Sequence, residues 1–534
     1  MSIYNRNLQT ALFVIACVLI SLFHAYPSFA AALPNQTAID AFYAEREGEP
    51  LWIKKKRLNN QGLALFEVLK NAWQNGLNPG NYHLAQMEEL FDGKDPHARI
   101  GEAAALQIEL LLTSGFVNYV RDMSGMRVNP RDLSLRKRDW RQMVSAAHAL
   151  TYLSDHKGDI AAFLNAQEPQ TTTYQTLKSE LIDLVSIMAS EEDAKPKLNF
   201  KGLVRPGRGY SDIPKLRIRF GLADPESEND RFKYDEALVE AVKAFQTAKG
   251  LKPDGVIGKQ TLHILNQSRQ DKVTQIMLNM ERLRWVPDSR PDRFVVVNIA
   301  SATLWAVENG NVRFEMPVIV GRKKRETLSF ITYIHGVRFN PTWTVPPTIK
   351  EEDILPKLRE DPYYLANKGM ELYRGYGKNA PTLDPTAMDW DSVREQDLHG
   401  LRMVQVAGRH NPLGRIRVLM PNNYNIYLHD TNNKSLFHKS NRAKSSGCVR
   451  MKDPEKVAMF ALEKRKGWSE ESMRRVLKKS KTSDIYTSEK MPVYLLYYTV
   501  WTGDQGQLVY GRDIYDQDMK LKNSLKKIDG LPIY

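Results

Sequence analysis

The residues best suited to chemistry lie in the segment "RAKSSGCVRM", residues 442–451. It contains Cys448, one of only two cysteines in the chain; the other, Cys17, lies in an apolar stretch near the N-terminus. Four cations surround the thiol in sequence: Arg442, Lys444, Arg450 and Lys452. Since a cationic environment favours thiolate over thiol, the segment predicts a nucleophilic cysteine. The alternative is a cysteine buried only for packing.

The sequence around Cys448 predicts a tight turn that leads towards a helix. Gly447 precedes the thiol, and a glycine there lets a substrate approach the backbone, whose successive N–H groups can point at a developing oxyanion. Downstream, Asp453 and Pro454 form a helix-start signal, with aspartate at the N-cap and proline at the first helical position of "PEKVAMFALEKRK". The candidate nucleophile therefore lies in the turn before this helix.

A thiol nucleophile usually needs a base, and two histidines are near in sequence. His429 ends the predicted strand "NIYLHD", where alternation directs it to the same side as Tyr427. His438 lies in the irregular segment between that strand and the cysteine. Either histidine satisfies the requirements of a Cys–His pair, and either could instead be structural. We predict no metal ion and no cofactor.

The elements that position these residues belong to a multidomain chain, because 534 residues are too many for one core. Helical periodicity indicates a scaffold domain over 33–200, with an amphipathic helix in "LALFEVLKNAWQNG" and a central buried helix in "EAAALQIELLLTSGFVNYV". A segment rich in proline, glycine and arginine follows and is typical of a linker.

A short unit over 208–270 comes next. Its segments "AVKAFQ", "GLKPDGVIG" and "TL" followed by "LN" resemble the peptidoglycan-binding domain type 1. The resemblance implies a small three-helix bundle that docks on cell-wall glycopeptide. The alternative is a bundle that serves only as a spacer.

From residue 290 the hydrophobic period changes to two. Runs such as "RFVVVNIA" and "TYIHGVRFNPTWTV" indicate strands, and Asn309-Gly310 indicates a hairpin. A polar, proline-rich insertion at about 346–398 interrupts the strands, as lids and binding loops do. We predict a mainly β catalytic domain over 290–480, then C-terminal strands and a tail over 481–534. The predicted fold class is multidomain α+β.

The N-terminus and the charge indicate compartment and partner. Residues 1–32 combine a lightly basic segment, an apolar run and small residues, the layout of a secretory signal peptide; the alternative is an uncleaved anchor in the inner membrane. We therefore expect the protein in the periplasm. The net charge of +14 suits an acidic partner such as anionic lipid or a carboxylate-rich wall polymer, and export argues against nucleic acid.

"YLHDT" followed by "RAKSSGCVRM" resembles the signature of the L,D-transpeptidase catalytic domain, the YkuD-type fold. The helical scaffold and the wall-binding unit, together with "MERLRWVP", "FNPTWTVPP", "NPLGRIRVLMPN" and "YGRDIYDQD", make the chain similar to the YcbB-like branch. The resemblance implies that Cys448 is the nucleophile and His429 its base. It also implies an oxyanion hole lined by the backbone N–H groups of Ser446, Gly447 and Cys448.

The resemblance leads to further expectations about the site. The residues expected to bind substrate are Tyr427, Arg450, Asn411 and Trp343. Where this chain has Ser446, the broad family often has histidine. His429 is therefore expected to act alone or with a backbone carbonyl that orients it.

The implied activity is acyl transfer between peptidoglycan stem peptides. A cysteine thioester would form and be resolved by a diaminopimelate amine, giving a 3→3 crosslink. Other cell-wall synthesis enzymes are expected as partners. Two alternatives stay open: an L,D-carboxypeptidase or D-amino-acid exchange enzyme that uses the same thioester, and a non-catalytic cell-wall-binding protein.

Overall fold

The structure is a computed structural model that describes residues 33–155, 158–187, 196–249, 251–287, 291–408, 410–479, 481–503 and 506–532. The predicted signal or anchor segment, and Cys17 within it, lie outside the described residues. The chain folds into two compact units. One is Ser289–Tyr498, and the other combines the chain before it with Thr499–Tyr534.

The scaffold part of the first unit is helical, as predicted. Its helices are α1 Gln36–Glu45, α2 Asn60–Lys70, α3 Leu84–Phe91, α4 Glu102–Ser124, α5 Ala146–Asp155, α6 Ile160–Ala166 and α7 Thr172–Ser186, with a hairpin of β1 Ile53–Lys54 and β2 Arg57–Leu58. Helix α4 is the predicted central helix. It is long and apolar enough to cross a membrane by length and composition alone, but 67% of its apolar window is buried inside the protein, as in a core helix.

The predicted three-helix bundle is present in the same unit. Its helices are α8 Ile213–Phe220, α9 Glu236–Ala248 and α10 Lys259–Asn266. The bundle core also contains Leu198 and Val204, so this module begins before the predicted start at 208. The backbone N–H of Leu198 donates to the side chain of Asn266 at 2.9 Å, so the two ends of the module meet. The extended residues before α8 have no periodicity by which the sequence could reveal them.

Helix α11, Arg269–Arg284, is buried on nearly every side and completes the first unit with β16 Val500–Thr502, β17 Leu508–Tyr510 and α17 Gln517–Lys526. Its fully buried Glu281 forms ion pairs with Arg127 at 2.8 Å and Arg284 at 2.7 Å, and accepts the indole N–H of Trp285 at 2.9 Å. These partners hold the pKa of Glu281 down at about 2 against the opposing effect of burial, so the carboxylate stays ionised.

The second unit is built on a sheet that closes on itself. Its strands are β3 Arg293–Asn298, β4 Thr303–Glu308, β5 Asn311–Gly321, β6 Phe330–Phe339, β11 Ile416–Leu419, β12 Leu428–His429, β13 Ala443–Ser445, β14 Val449–Met451 and β15 Ser483–Leu496. The strand order is β13-β5-β14-β12-β11-β6-β15-β3-β4, and β5 also pairs with β4. The predicted Asn309-Gly310 hairpin joins β4 and β5, and both turn residues have positive φ. Helices α15 Pro454–Leu462 and α16 Glu470–Lys478 follow the sheet strand β14.

The insertion is a small subdomain with its own core. It consists of β7 Trp343–Thr344, α12 Pro347–Ile349, a π-helical turn Lys350–Ile354, α13 Leu355–Glu360, α14 Tyr364–Asn367, β8 Met370–Arg374, β9 Thr382–Leu383 and β10 Leu401–Gln405. The strands form a separate sheet in the order β7-β10-β8-β9. Buried residues such as Leu358, Trp390 and Met403 pack between sheet and helices. The insertion therefore contains strands that its polar composition concealed.

The boundary predicted at residue 480 is corrected by the pairing of β15. This strand pairs with β6 and in parallel with β3, so it belongs to the closed sheet of the second unit, and only the chain from Thr499 onward joins the other unit. The apolar run "MPVYLLYYTVWT", which begins at residue 491, predicts a strand that covers the last part of β15. Which sheet that strand joins depends on partners almost 200 residues earlier in the chain, which local pattern does not specify.

Candidate active site

Four basic side chains form a row across neighbouring strands of the closed sheet. Arg338 on β6 is opposite Arg417 on β11, Arg417 is opposite His429 on β12, and His429 is opposite Arg450 on β14. Residues paired directly across strands share one face of a sheet. The imidazole of His429 therefore lies between two guanidinium groups.

Cys448 lies immediately before β14, next to the start of β12. The backbone N–H of Val449 donates to the carbonyl of Tyr427 at 2.9 Å, which aligns the two chain segments. The thiol Sγ donates to the carbonyl of Asn425 at 3.5 Å and accepts a hydrogen bond from the backbone of Tyr427. Because alternate residues of a strand share a face, Cys448 lies on the face of Arg450 and His429.

The turn that carries Cys448 is fixed by glycine geometry and by hydrogen bonds from the β5–β6 loop. Gly447 has φ of +113°, where side-chain-bearing residues are strained. The hydroxyl of Thr327 accepts from Gly321 N–H at 2.8 Å and donates to the Gly447 carbonyl at 2.7 Å. The Ser445 hydroxyl accepts from Gly447 N–H at 3.1 Å and donates to the Cys448 carbonyl. The backbone around Cys448 is therefore held from both sides.

These bonds correct one of the predicted oxyanion-hole groups. Because the N–H of Gly447 donates to Ser445 Oγ, it is already used inside the turn. The N–H groups of Ser446 and Cys448 stay predicted donors. A serine hydroxyl two residues away is a common alternative acceptor in tight turns.

Burial and charge act on Cys448 in opposite directions. Burial raises the pKa of the thiol, while the Tyr427 backbone, Arg417 and Arg450 lower it, and burial has the larger effect. The expectation that surrounding cations make Cys448 a thiolate is therefore wrong for this structure. Arg442, one of the predicted cations, donates instead to the carbonyl oxygens of Ser301 and Ala302 at 2.9 and 3.2 Å.

His429 is buried and neutral. Burial, followed by the nearby Arg450, lowers the pKa of its imidazole to about 3. Its Nδ1 contacts the carbonyl oxygen of Asp430, which can only accept, so Nδ1 carries the proton and Nε2 keeps a free lone pair. The imidazole is thus in the tautomer that a general base requires, oriented by a backbone carbonyl as expected.

Asp430 holds that carbonyl in place through its own side chain. Its carboxylate accepts from the Arg415 backbone at 2.9 Å and pairs with Lys434 at 2.7 Å. At Gly414 a Cβ would come within 2.3 Å of the same carboxylate, so only glycine fits there. In contrast, His438, the other candidate base, is exposed at the end of a short 3-10 helix, and the structure favours His429.

The other predicted substrate contacts have different outcomes. Asn411 is buried, and its amide donates to the carbonyls of Pro341 and Val406 at 3.0 and 3.1 Å while its oxygen accepts from Leu413 N–H, so its role is structural. Trp343 packs on the core of the insertion subdomain, partly buried. Tyr427 is half-buried beside the thiol, and Arg450 lies in the basic row. The sequence predictions for these two stay compatible with the geometry.

Arg325 links the insertion subdomain to the turn that carries Cys448. Its guanidinium pairs with Asp353 at 2.8 Å and with Glu352, both on the π-helical turn of the insertion, and donates to Ser446 Oγ at 3.1 Å. The side chain is only 9% exposed. The insertion is thereby connected to the residue two positions before Cys448.

Sequence reasoning missed Arg417, Arg325 and Thr327. Arg417 alternates with buried residues in "GRIRVLMPN", a signal that places it on the polar face of a strand but not beside His429. Arg325 and Thr327 lie in a loop with no motif, and only their contacts reveal them. Among the described residues, no group of three or more His, Cys, Asp or Glu side chains is arranged to hold a metal ion.

Comparison with known families identifies three regions. Residues 37–181 match a "Scaffold domain", residues 219–265 a "Putative peptidoglycan binding domain", and residues 292–470 an "L,D-transpeptidase catalytic domain". A Haemophilus influenzae protein named "Putative L,D-transpeptidase" is 33% identical over 301 residues, 55% of this chain and 60% of that protein. The matched chain thus spans about 60% of that relative's length.

Solved structures were also compared. An L,D-transpeptidase from Stackebrandtia nassauensis is 15% identical, with 57% of this chain and 97% of that chain covered and a TM-score of 0.20. An L,D-transpeptidase from Enterococcus faecium is 10% identical, with 39% and 50% covered and a TM-score of 0.18.

Proposed function

We propose, from the premise that residues 292–470 form an L,D-transpeptidase catalytic domain, that this protein transfers acyl groups between peptidoglycan stem peptides through a Cys448 thioester. The observation that carries the proposal is the placement of Cys448 and a neutral His429 on one face of two paired strands. A thiol that burial keeps protonated needs a base, and the free Nε2 of His429 is one.

In the first half-reaction the thiol proton moves to Nε2 of His429 as Sγ attacks the carbonyl between diaminopimelate and the terminal D-Ala. The N–H groups of Cys448 and Ser446 stabilise the oxyanion. The imidazolium then returns the proton to the D-Ala nitrogen, the C–N bond breaks and free D-Ala leaves. The product is a thioester on Cys448.

In the second half-reaction a side-chain amine of diaminopimelate on another stem attacks the thioester carbonyl. It loses one proton to His429, the C–S bond breaks, and the thiolate takes the proton back from the imidazolium. A 3→3 crosslink results. The insertion, joined to the catalytic turn through Arg325, caps the site and favours amine over water.

The other regions support the same substrate. Residues 219–265 match a peptidoglycan-binding domain, and the net charge of +14 attracts a carboxylate-rich polymer. We place the protein in the periplasm, secreted by residues 1–32 or tethered by them to the inner membrane, where other cell-wall synthesis enzymes are its expected partners.

The test is product analysis with purified protein. The wild type should convert tetrapeptide-containing wall material into stems joined 3→3, identified by mass, whereas Cys448→Ala should give none while keeping its fold. A covalent carbapenem adduct should map to Cys448, because an activated thiol opens a strained β-lactam.

Each rival predicts a different result. Release of D-Ala with tripeptide stems but no crosslinks would identify an L,D-carboxypeptidase. Crosslinking retained by Cys448→Ala, or no adduct and no product from folded wild type, would overturn the proposal and leave a wall-binding protein.

A further inference from the structure

We propose that Arg417 and Arg450 together bind the free C-terminal carboxylate of the donor peptide, so that the enzyme acts at chain ends. The inference rests on the proposed function and adds to it the group that defines the donor. It starts from the basic row, in which these two arginines flank His429 on adjacent strands.

The charge of the row is only partly neutralised. Arg338, its outermost arginine, forms two bonds of 2.7 Å with Asp484 on β15. Among the described residues, no carboxylate forms an ion pair with Arg417 or Arg450, and the Nε atom of each is buried without a hydrogen-bond partner. Asp484 also acts on Arg417 electrostatically, but its carboxylate pairs directly with Arg338. Half-buried cations without a direct ion-pair partner raise the free energy of the empty site, and a bound anion relieves that cost.

The guanidinium of Arg417 is also held in place. It lies 4.0 Å from the ring centroid of Tyr427, a cation–π contact that fixes the side chain beside the thiol. The backbone of Arg450 is held by its strand, two residues after Cys448. Two planar guanidinium groups match a carboxylate better than a single flexible cation would.

The position of this charge selects the terminal carboxylate. In a donor attacked at its last peptide bond, the carboxylate of the leaving residue lies within one residue, about 3.8 Å along the chain, of the attacked carbonyl. A positive site next to the sulfur is therefore where that carboxylate arrives. A peptide that continues beyond this residue has a neutral amide there and leaves both guanidinium groups without a partner.

The stem peptide has a second carboxylate of the same chemistry, on the side chain of diaminopimelate. Binding of stem peptides to full-length Cys448→Ala shows which of the two carboxylates the arginines recognise. Three stem tetrapeptides are used as probes: the free acid, the peptide ending in D-alaninamide, and the peptide amidated only on diaminopimelate. We expect the free acid and the diaminopimelate amide to bind alike, and the C-terminal amide about tenfold more weakly or worse.

Arginine variants made in the Cys448→Ala protein show which side chains cause the preference for the free acid. Arg417→Met and Arg450→Met should each weaken binding of the free acid about tenfold and leave the C-terminal amide unchanged. Arg402→Met is the matched control, because Arg402 also stacks on a tyrosine, at 4.3 Å from Tyr373, but lies in the insertion. If a methionine variant fails to fold by circular dichroism, Arg417→Lys keeps the charge and should retain part of the preference.

Several outcomes overturn the inference. Equal binding of the free acid and the C-terminal amide would contradict the role of the two arginines. So would weaker binding of the peptide amidated on diaminopimelate, or an equal loss of binding for all three probes in the variants. The rate of Cys448 acylation distinguishes a failure of this inference from a failure of the proposed function. Wild type that reacts equally fast with acid and C-terminal amide contradicts only this inference, whereas wild type that reacts with neither contradicts both.

Discussion

The rate at which Cys448 is acylated should be nearly independent of pH between about 5 and 8, because the thiol of Cys448 and the imidazole of His429 are both neutral before the reaction. The imidazole of His429, with a pKa of about 3, is about 99% unprotonated even at pH 5. Burial holds the pKa of the Cys448 thiol above its ordinary value, so the thiol is protonated at neutral pH. General base catalysis can then begin without a prior change in the protonation state of either group.

Removing the base should expose the titration of the thiol. In His429→Gln only the pre-existing thiolate reacts, so the rate should fall about tenfold for each pH unit below 8 and lie about 10²-fold or more below wild type at pH 6. The exposed His438 provides the matched control, and His438→Gln should follow the wild-type profile.

The assay is adduct formation with a carbapenem, followed by intact-protein mass and loss of lactam absorbance across the pH range. Cys448→Ala sets the background. A wild-type profile that falls by tenfold per unit below pH 7, with an inflection near 6.5, would show that the imidazole titrates at its ordinary value, and the neutral-pair mechanism would be refuted.

Four further results are expected. Glu281→Gln leaves Arg127 and Arg284 without their shared carboxylate and should lower the free energy of unfolding by about 3–5 kcal/mol in denaturant titrations. The control is Glu102→Gln, at an exposed ion pair, which should leave the denaturation midpoint unchanged. Asn411→Ala should destabilise the protein by about 1–3 kcal/mol through unpaired carbonyls, and a raised KM in a fully stable variant would contradict its structural role. Arg325→Met should reduce kcat by about tenfold or more at an unchanged melting temperature, because it removes the link between the insertion and the turn that carries Cys448. An unaltered kcat would show that this link has no catalytic effect. Excision of 197–267, whose ends meet, should weaken binding to sacculi without slowing acylation by soluble peptides, and undiminished sacculus binding would argue for the spacer.

The sequence alone was sufficient where the deciding interactions are local. The Asn309-Gly310 hairpin requires positive φ at both residues, and the turn before Cys448 requires it at Gly447, so the residue types identify these sites without any partner. Cys448 among its cations and His429 at the end of a predicted strand were equally visible. The helical period likewise revealed α4, and the resemblance of 208–270 to the peptidoglycan-binding domain type 1 implied the three-helix bundle.

Tertiary structure decided everything that depends on register and burial. Arg417 lies beside His429, and β15 lies in the closed sheet, because strands distant in sequence pair at particular positions. Asn411 proved to be a buried hydrogen-bonding residue because the carbonyls it satisfies come from two other segments. The protonation of the pair was also invisible, since the cationic sequence predicts a thiolate. Desolvation outweighs those charges, and desolvation exists only once the chain has folded around the sulfur.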